Sequence, residues 1–534
     1  MTQPTAHPPR RDDKLPLVVQ SPEPFILTKI IATMGPACRD VDTLTRLIDA
    51  GVRVVRINFS HGSFDEFKHN LDVARAASKR TGIALGVLGD LSGPKIRVNK
   101  VKDGPIELAP GDRIEFVETG PDTLVTRAPA THPATGVVTV PSTYPDLVHE
   151  VQPGQRVLID DGHIRCLAVE RIAGGPGESR LVCRVIHGGP LSDKKGINLP
   201  DTPITAPSLT DWDRQCVDWA MENELDFLAL SFVRKSEDIA QLRRLLDDRS
   251  PTKRGGGGGA PIIAKIEKPQ ALQDIEAICH AADAVMVARG DLGVEMDLAE
   301  VPIIQKRILE VAHDHGKPVI IATQMLQSMI EHATPTRAEV SDVANAIFDG
   351  ADCVMLSGET AVGQHAEQAV LTMSRTARIT ERDMAARRQR AAQPPRKHRA
   401  SRYRTAALAH GIGVVVHDLA ARYVVVWSEL GGGARYLSQN RLSIPIIAVS
   451  SSEPALRRMS LGFGVRPVHM DRPADSEAFL ARVDELLQQR GWAQPGEPIV
   501  LAMGEPMGTA GVTNEIRIHY VGDVCRVDAG PARG

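Results

Sequence analysis

No apolar run in this sequence approaches the roughly 18 residues that a membrane-spanning helix needs. The polar, proline-rich opening from Met1 to Pro24 has no apolar core of the kind a secretory signal carries. Cysteine is scarce and scattered. The seven thiols (Cys38, Cys166, Cys183, Cys216, Cys279, Cys353 and Cys525) include no CxxC pair and are odd in number. That argues against a disulfide framework or a zinc site, and for reduced thiols. Net charge is nearly absent too: at −3 the chain has no field to draw in nucleic acid. These absences predict a cytoplasmic protein with no membrane and no nucleic-acid partner, its first 24 residues a loose tail.

What is present is ample apolar sequence, 42% of 534 residues, enough for two or three domain cores. Short runs of strand length recur: Thr28–Thr33, Val54–Ser60, Ala84–Asp90, Phe227–Val233, Ile262–Glu267, Ala284–Ala288, Pro318–Thr323 and Cys353–Ser357. They are rich in Val and Ile, and most are closed by Gly, Pro or polar residues. Amphipathic stretches such as Val41–Ala50 and Val340–Phe348 lie between them. Eight βα-type repeats is the count of a (β/α)₈ TIM barrel, placed here over residues 25–97 and 199–380.

One gap breaks the spacing. Residues 98–198 alternate Thr and Val with Gly and Pro and show little helical periodicity, which predicts a small antiparallel β domain, a lid in the form of a β-barrel. Inserted after the third strand, it would rise from the catalytic face. Residues 381–404 are basic and polar, read as a solvated connector. A second α/β pattern fills residues 405–534: Tyr423–Trp427, Pro445–Val449, Val465–Met470, Pro498–Met503 and Ile516–Val521 suggest a doubly wound sheet. Gly255–Gly259 reads as a flexible loop, since no strand-to-helix signature surrounds it.

Residues two apart in a strand face the same side, which aligns Arg56 with Asn58 and Ser60, and Lys265 with Glu267. A barrel interior is normally Val, Ile and Leu. Polar intrusions nevertheless recur at strand ends: Arg56/Asn58/Ser60, Asp90, Lys265/Glu267, Arg289/Asp291 and Thr323. Each alone reads as an exposed pair or a strand-end cap; their convergence is what a barrel active site requires. Glu267 and Asp291 end neighbouring strands and suit one hard cation, since Mg²⁺ takes one or two carboxylates and completes its shell with water and substrate oxygens. Lys265 and Arg56 would supply positive charge to a phosphoryl group in transfer. The ARGDLG segment offers N–H groups at a helix start for a carboxylate or phosphate.

The segments TKIIATMGPA, AGVRVVRINFSHG, GDLSGPKIR, IDDG, KKGINLP, IIAKIEKPQAL, VMVARGDLGVE, GKPVIIATQMLQSM, PTRAEVSDVANAIFDGADCVMLSGETAVG and GVTNEIRI occur in that order. Together they resemble the signature segments of the pyruvate kinase family, from about Phe25 to Val521. The resemblance implies transfer of the phosphoryl group of phosphoenolpyruvate to ADP with Mg²⁺, or Mn²⁺ in its place. It implies that Arg56 binds the substrate phosphate, that Lys265 stabilises the transferring group and that Glu267 and Asp291 hold the metal. The backbone at Gly290 and Asp291 would hold the substrate carboxylate, and Thr323 would assist protonation of the enolate. Arg97, Lys195 and Asn58, with His61 ranked lower, would lie by the nucleotide.

Family members that need K⁺ hold it at positions matching Asn58, Ser60, Asp90 and the Leu91 carbonyl, and commonly read DTKGPEIRT. Here Lys95 stands in place of the Glu, and Leu91 and Val98 in place of threonines. An ammonium group can supply the charge that K⁺ otherwise provides, so K⁺-independence is expected. The family often has a small-molecule effector site on the C-terminal domain. The matching loop Ser428–Ala434 lacks basic residues and carries Glu429, which argues against fructose 1,6-bisphosphate there. A homotetramer is expected by the same resemblance. Two other readings are a metal-dependent lyase, which would need neither the lid nor the C-terminal domain, and an inactive scaffold, which would have lost a key charge.

Overall fold

The computed structural model describes residues 25–119, 122–127, 136–175, 177–249, 259–387, 403–507 and 511–523. The expectations for the N-terminal tail, most of the glycine run, most of the basic connector and Cys525 lie outside the described residues.

Short, almost wholly apolar runs must bury both faces, and strands covered on both sides do so. Ile262–Ile266 and Ala284–Ala288 are buried at every position. Alternation sorts the side chains: Ile31, Val54, Leu88, Ile263, Met286 and Ile320 meet on the barrel axis, while Ile30, Val55, Val87 and Ile262 face the helices. All eight runs named from the sequence are strands, and they pair in parallel in chain order into a closed barrel. Closure comes from Lys29–Thr33 pairing both Val52–Asn58 and Cys353–Leu356, with Lys29 opposite Cys353.

The covering helices begin where the sequence caps them. Ser63 opens helix Phe64–Thr81 with a capping box to Glu66, and Thr336 opens Arg337–Phe348 with one to Glu339. Helix Ala366–Arg387 continues into the stretch read as a connector.

The insert lies between the third barrel strand, Gly86–Asp90, and the fourth, Phe227–Leu230. Its strands form one seven-stranded sheet in open order and a two-stranded sheet, around a separate core. The expectation of a uniformly antiparallel insert needs one correction: Arg113–Val117 runs parallel to Val138–Pro141.

In the C-terminal sheet the spatial order is third, second, first, fourth, fifth, and the last strand, Glu515–Tyr520, is antiparallel. Alternation along Tyr423–Trp427 feeds two cores, Val424 and Val426 on one face and Tyr423, Val425 and Trp427 on the other. This unit packs under the barrel. Leu461 joins the residues on the barrel axis, and Phe25, just ahead of the first strand, packs into the C-terminal core. The six described cysteines are free and buried. No helix among the described residues is long and apolar enough to cross a membrane.

Candidate active site

A barrel filled with Ile, Met and Val offers no water to a charge, so charged groups at the C-terminal strand ends must satisfy one another. Asp90, 1% exposed at the end of the third strand, is the hub. Arg56 Nε from the second strand lies 2.6 Å from Asp90 Oδ2, and Lys265 Nζ from the fifth lies 3.2 Å from Oδ1. Lys265 Nζ also lies 2.9 Å from Glu267 Oε1 and donates to Ser231 Oγ at 2.6 Å. Arg56 Nη1 donates to Thr33 Oγ1 at 3.1 Å.

Burial alone would raise the Asp90 carboxyl, but Lys265 and Arg56 outweigh it and hold the group below the usual carboxylate range. Burial pulls the Lys265 ammonium down, yet Asp90 and Glu267 reverse this and keep it protonated. Glu267 behaves differently. Burial pushes its carboxyl up; Lys265 opposes the rise and the charge of Asp291 adds to it. A carboxyl raised by a neighbouring carboxylate in this way suits a site that takes a cation. Among the described residues no group of three or more His, Cys, Asp or Glu side chains could hold a metal. A carboxylate pair would fit a hard divalent ion that completes its shell from substrate and water.

Asp291 lies in helix Arg289–Glu295, which follows the sixth strand directly. Thr323, after the seventh strand, has φ +67° and Gln324 has φ +55°. The left-handed region is costly for a β-branched residue, and such strain concentrates at functional sites. The Thr323 hydroxyl accepts the Gly290 N–H at 2.7 Å and donates to Ala322 O at 2.7 Å. The Gly290 N–H, expected at the substrate carboxylate, is thus engaged by Thr323. Arg289 braces the turn through Asp342 at 2.7 Å and Thr323 O at 3.0 Å.

The lid overhangs these groups. A cleft of about 390 Å³ is lined by Lys95, Arg97, Lys195 and Asp291, among others. A wider one of about 750 Å³ is lined by Ser60, His61, Arg97 and Lys194. Lys195 pairs with Asp160 at 2.9 Å, and Arg97 Nη1 donates to Lys194 O at 2.8 Å. Burial, then Lys95 and Arg97, lower the pKa of His61. Asn58 Oδ1 accepts the Ser60 N–H at 3.1 Å, and Lys95 Nζ donates to Ser60 Oγ at 3.0 Å. Leu91 is buried, with its N–H on Ala229 O at 3.0 Å.

Sequence reasoning missed Ser231, which bridges Lys265 and Asp90, and Phe232, whose N–H donates to Glu267 Oε2 at 2.8 Å. Ser231 was visible as one more polar residue at a strand end. The role of Phe232 is carried by its backbone, at φ +54°, and has no side-chain signature.

Models of the pyruvate kinase barrel domain and the pyruvate kinase alpha/beta domain match residues 26–370 and 406–519. The chain belongs to the pyruvate kinase family. It is 37% identical to the pyruvate kinase of Corynebacterium glutamicum over 502 residues, 94% of this chain and 98% of that one. It is 38% identical to that of Mycobacterium tuberculosis over 495 residues, 93% and 98% of the two. Among solved structures, a pyruvate kinase from Cryptosporidium parvum superposes with a TM-score of 0.80 at 31% identity, covering 92% of this chain and 96% of that one. As a pyruvate kinase the chain is a phosphotransferase of glycolysis acting on phosphoenolpyruvate and ADP, and its reaction uses a divalent metal. This decides against the lyase and the inactive scaffold.

Proposed function

We propose that the ionic cluster at the barrel mouth carries the transfer, with Lys265 and Arg56 on the phosphoryl group and Thr323 beside the enolate. The observation that carries this reading is Lys265, buried and protonated, between Asp90 and Glu267 with Asp291 alongside. Its ammonium is preorganised, so it stabilises charge on the moving group without reorganising at the moment of reaction. Asp90 holds Arg56 and Lys265 in one orientation. Asp291 and Glu267 would hold Mg²⁺, or Mn²⁺ in its place, and the bound ion supplies positive charge to substrate oxygens. With the Gly290 N–H held by Thr323, the backbone at Asp291 orients the substrate carboxylate. Arg97 at the junction of barrel and lid and Lys195 of the lid, with Asn58 and His61 across the cleft, hold the nucleotide and exclude water. A coupled assay for ATP formation from ADP and phosphoenolpyruvate, run over a series of divalent ions, tests the reading.

Lys95 supports K⁺-independence. Its ammonium bonds Ser60, one of the positions that would face K⁺; burial and then the Lys265 charge lower its pKa, and Asp90 opposes them. Full turnover is expected in tetramethylammonium buffer free of Na⁺ and K⁺. The Lys95→Glu enzyme should then need added KCl, and a large KCl activation of the parent enzyme would refute the idea. The C-terminal loop Ser428–Ala434 retains the Glu429 carboxylate, which accepts from Ser451 Oγ at 2.9 Å and disfavours a phosphate there. An effector on that domain, if present, has other chemistry. Residues 336–338 of the PTRAEVSDVANA segment are exposed on the single chain, which supports a homotetramer built through them. Light scattering on the purified, cytoplasmic enzyme checks that.

A further inference from the structure

The lid is tied to the barrel by a contact that phosphoryl transfer itself does not use. The insert returns to the barrel through Ile197–Asn198, and the Asn198 side-chain amide donates to Glu295 Oε1 at 2.8 Å. Glu295 is 1% exposed, at the end of the helix that carries Asp291. Lys268, itself buried, pairs with the same oxygen. Its other oxygen, Oε2, is buried with no hydrogen-bond partner among the described residues. Asn198 and Lys268 are thus the two groups bonded to this carboxylate among the described residues, with Arg156 of the lid within electrostatic reach.

The contact leads to the reacting groups from both sides. On the barrel side, the Lys268 ammonium lies 5.8 Å from the centre of the Phe232 ring, and the Phe232 N–H donates to Glu267. On the lid side, Lys195 stands just ahead of Asn198 and is bonded to Asp160 in the neighbouring turn. That turn reaches the same helix: a Cβ on Gly162 would lie 3.9 Å from Val294.

We propose that Glu295 is the latch that holds the lid down, and so positions Lys195 over the nucleotide. It is a positioning residue, which touches neither substrate nor metal. A hydrogen bond to a buried carboxylate is stronger than a neutral one, so losing it should move the closed-to-open ratio about tenfold. The second half of the proposal rests on reading Lys195 as a nucleotide contact; the lid position does not.

Asn198→Asp sets two carboxylates face to face and should open the lid. Combining it with Glu295→Gln exchanges donor and acceptor and should close it again. Asn198→Ala, which adds no charge, should open it less. Lid position is read in the full chain by pulsed electron paramagnetic resonance between labels at Glu170→Cys and Lys79→Cys, both exposed sites. The background is Cys525→Ser, the other cysteines being buried. The parent should give a short distance and Asn198→Asp a longer one. KM for ADP should rise about tenfold in Asn198→Asp, that for phosphoenolpyruvate should stay level, and the double variant should restore both readouts. Unchanged distances in Asn198→Asp, or a double variant that stays open, overturn the latch. A lid that opens without raising KM for ADP upholds the latch and overturns the role of Lys195.

Discussion

Lys265 lies within 3.2 Å of both Asp90 and Glu267, and the same two carboxylates that keep it charged also fix its direction. Lys265→Met should therefore lower kcat roughly a thousandfold and leave the circular dichroism spectrum unchanged. Near-normal turnover would remove the residue from its role. A second lysine behaves in the opposite way. Lys29, at the floor of the barrel, is pulled from 10.5 to about 7, chiefly by burial and next by Arg53, with Glu381 opposing. Between those two values the unfolded chain binds a proton that the folded protein does not. Stability from this group thus rises with pH across the window and is lowest below about 7. Lys29→Met should melt higher than the parent at pH 6, and the difference should shrink as pH climbs toward 10. A difference that grows with pH would contradict the reading. At this scale the types Lys265, Glu267 and Asp291 were legible as polar residues breaking an apolar strand pattern. The depressed Lys29 was not, because only its neighbours across the barrel floor decide its charge.

The third strand shows how an element carries a site. It reads Gly86-Val-Leu-Gly-Asp90, and a Cβ on Gly89 would come within 2.7 Å of the Phe59 ring and 2.9 Å of Leu225. Only glycine lets the strand lie this close to its neighbours, and the next residue is Asp90. Gly89→Ala should cost about 1–3 kcal/mol by overpacking and lower kcat by displacing Asp90. Chemical denaturation alongside steady-state kinetics would show it, and a variant with parental stability would mean the strand shifts freely. The strands and caps themselves were readable, since period and capping residues are local: Val41–Ala50 is a helix as expected, and Tyr423–Trp427 and Pro498–Met503 are strands. The parallel pair in the lid was not, because alternation along one strand says nothing about the direction of its neighbour.

Across the whole molecule the barrel floor repeats one device. Asp226, Asp283 and Asp352 each stand just ahead of a strand and accept the N–H of Val87, Ile262 and Val319 in the strand beside it, at 2.9, 2.8 and 2.8 Å. Two of these carboxylates are neutralised from the C-terminal domain, Asp226 by Arg457 at 2.8 Å and Asp352 by Arg441 at 2.6 Å. Arg441→Met takes the guanidinium from the buried Asp352, whose other side-chain partner among the described residues is the His313 imidazole at 3.3 Å, and should cost about 2 kcal/mol. A lower thermal midpoint would bear this out, and an unchanged one would mean that water replaces the guanidinium. By itself the sequence determined the eight short strands, their order and the polar residues at their ends, because burial on two faces and period-two alternation are written in consecutive residues. Only the tertiary structure decided that Asp90 would be the hub of the charged cluster. It also decided that Glu295 would meet Asn198 and that C-terminal arginines would close the barrel floor. Those pairings join residues far apart in the chain, and burial in a low-dielectric interior, not local pattern, selects their partners.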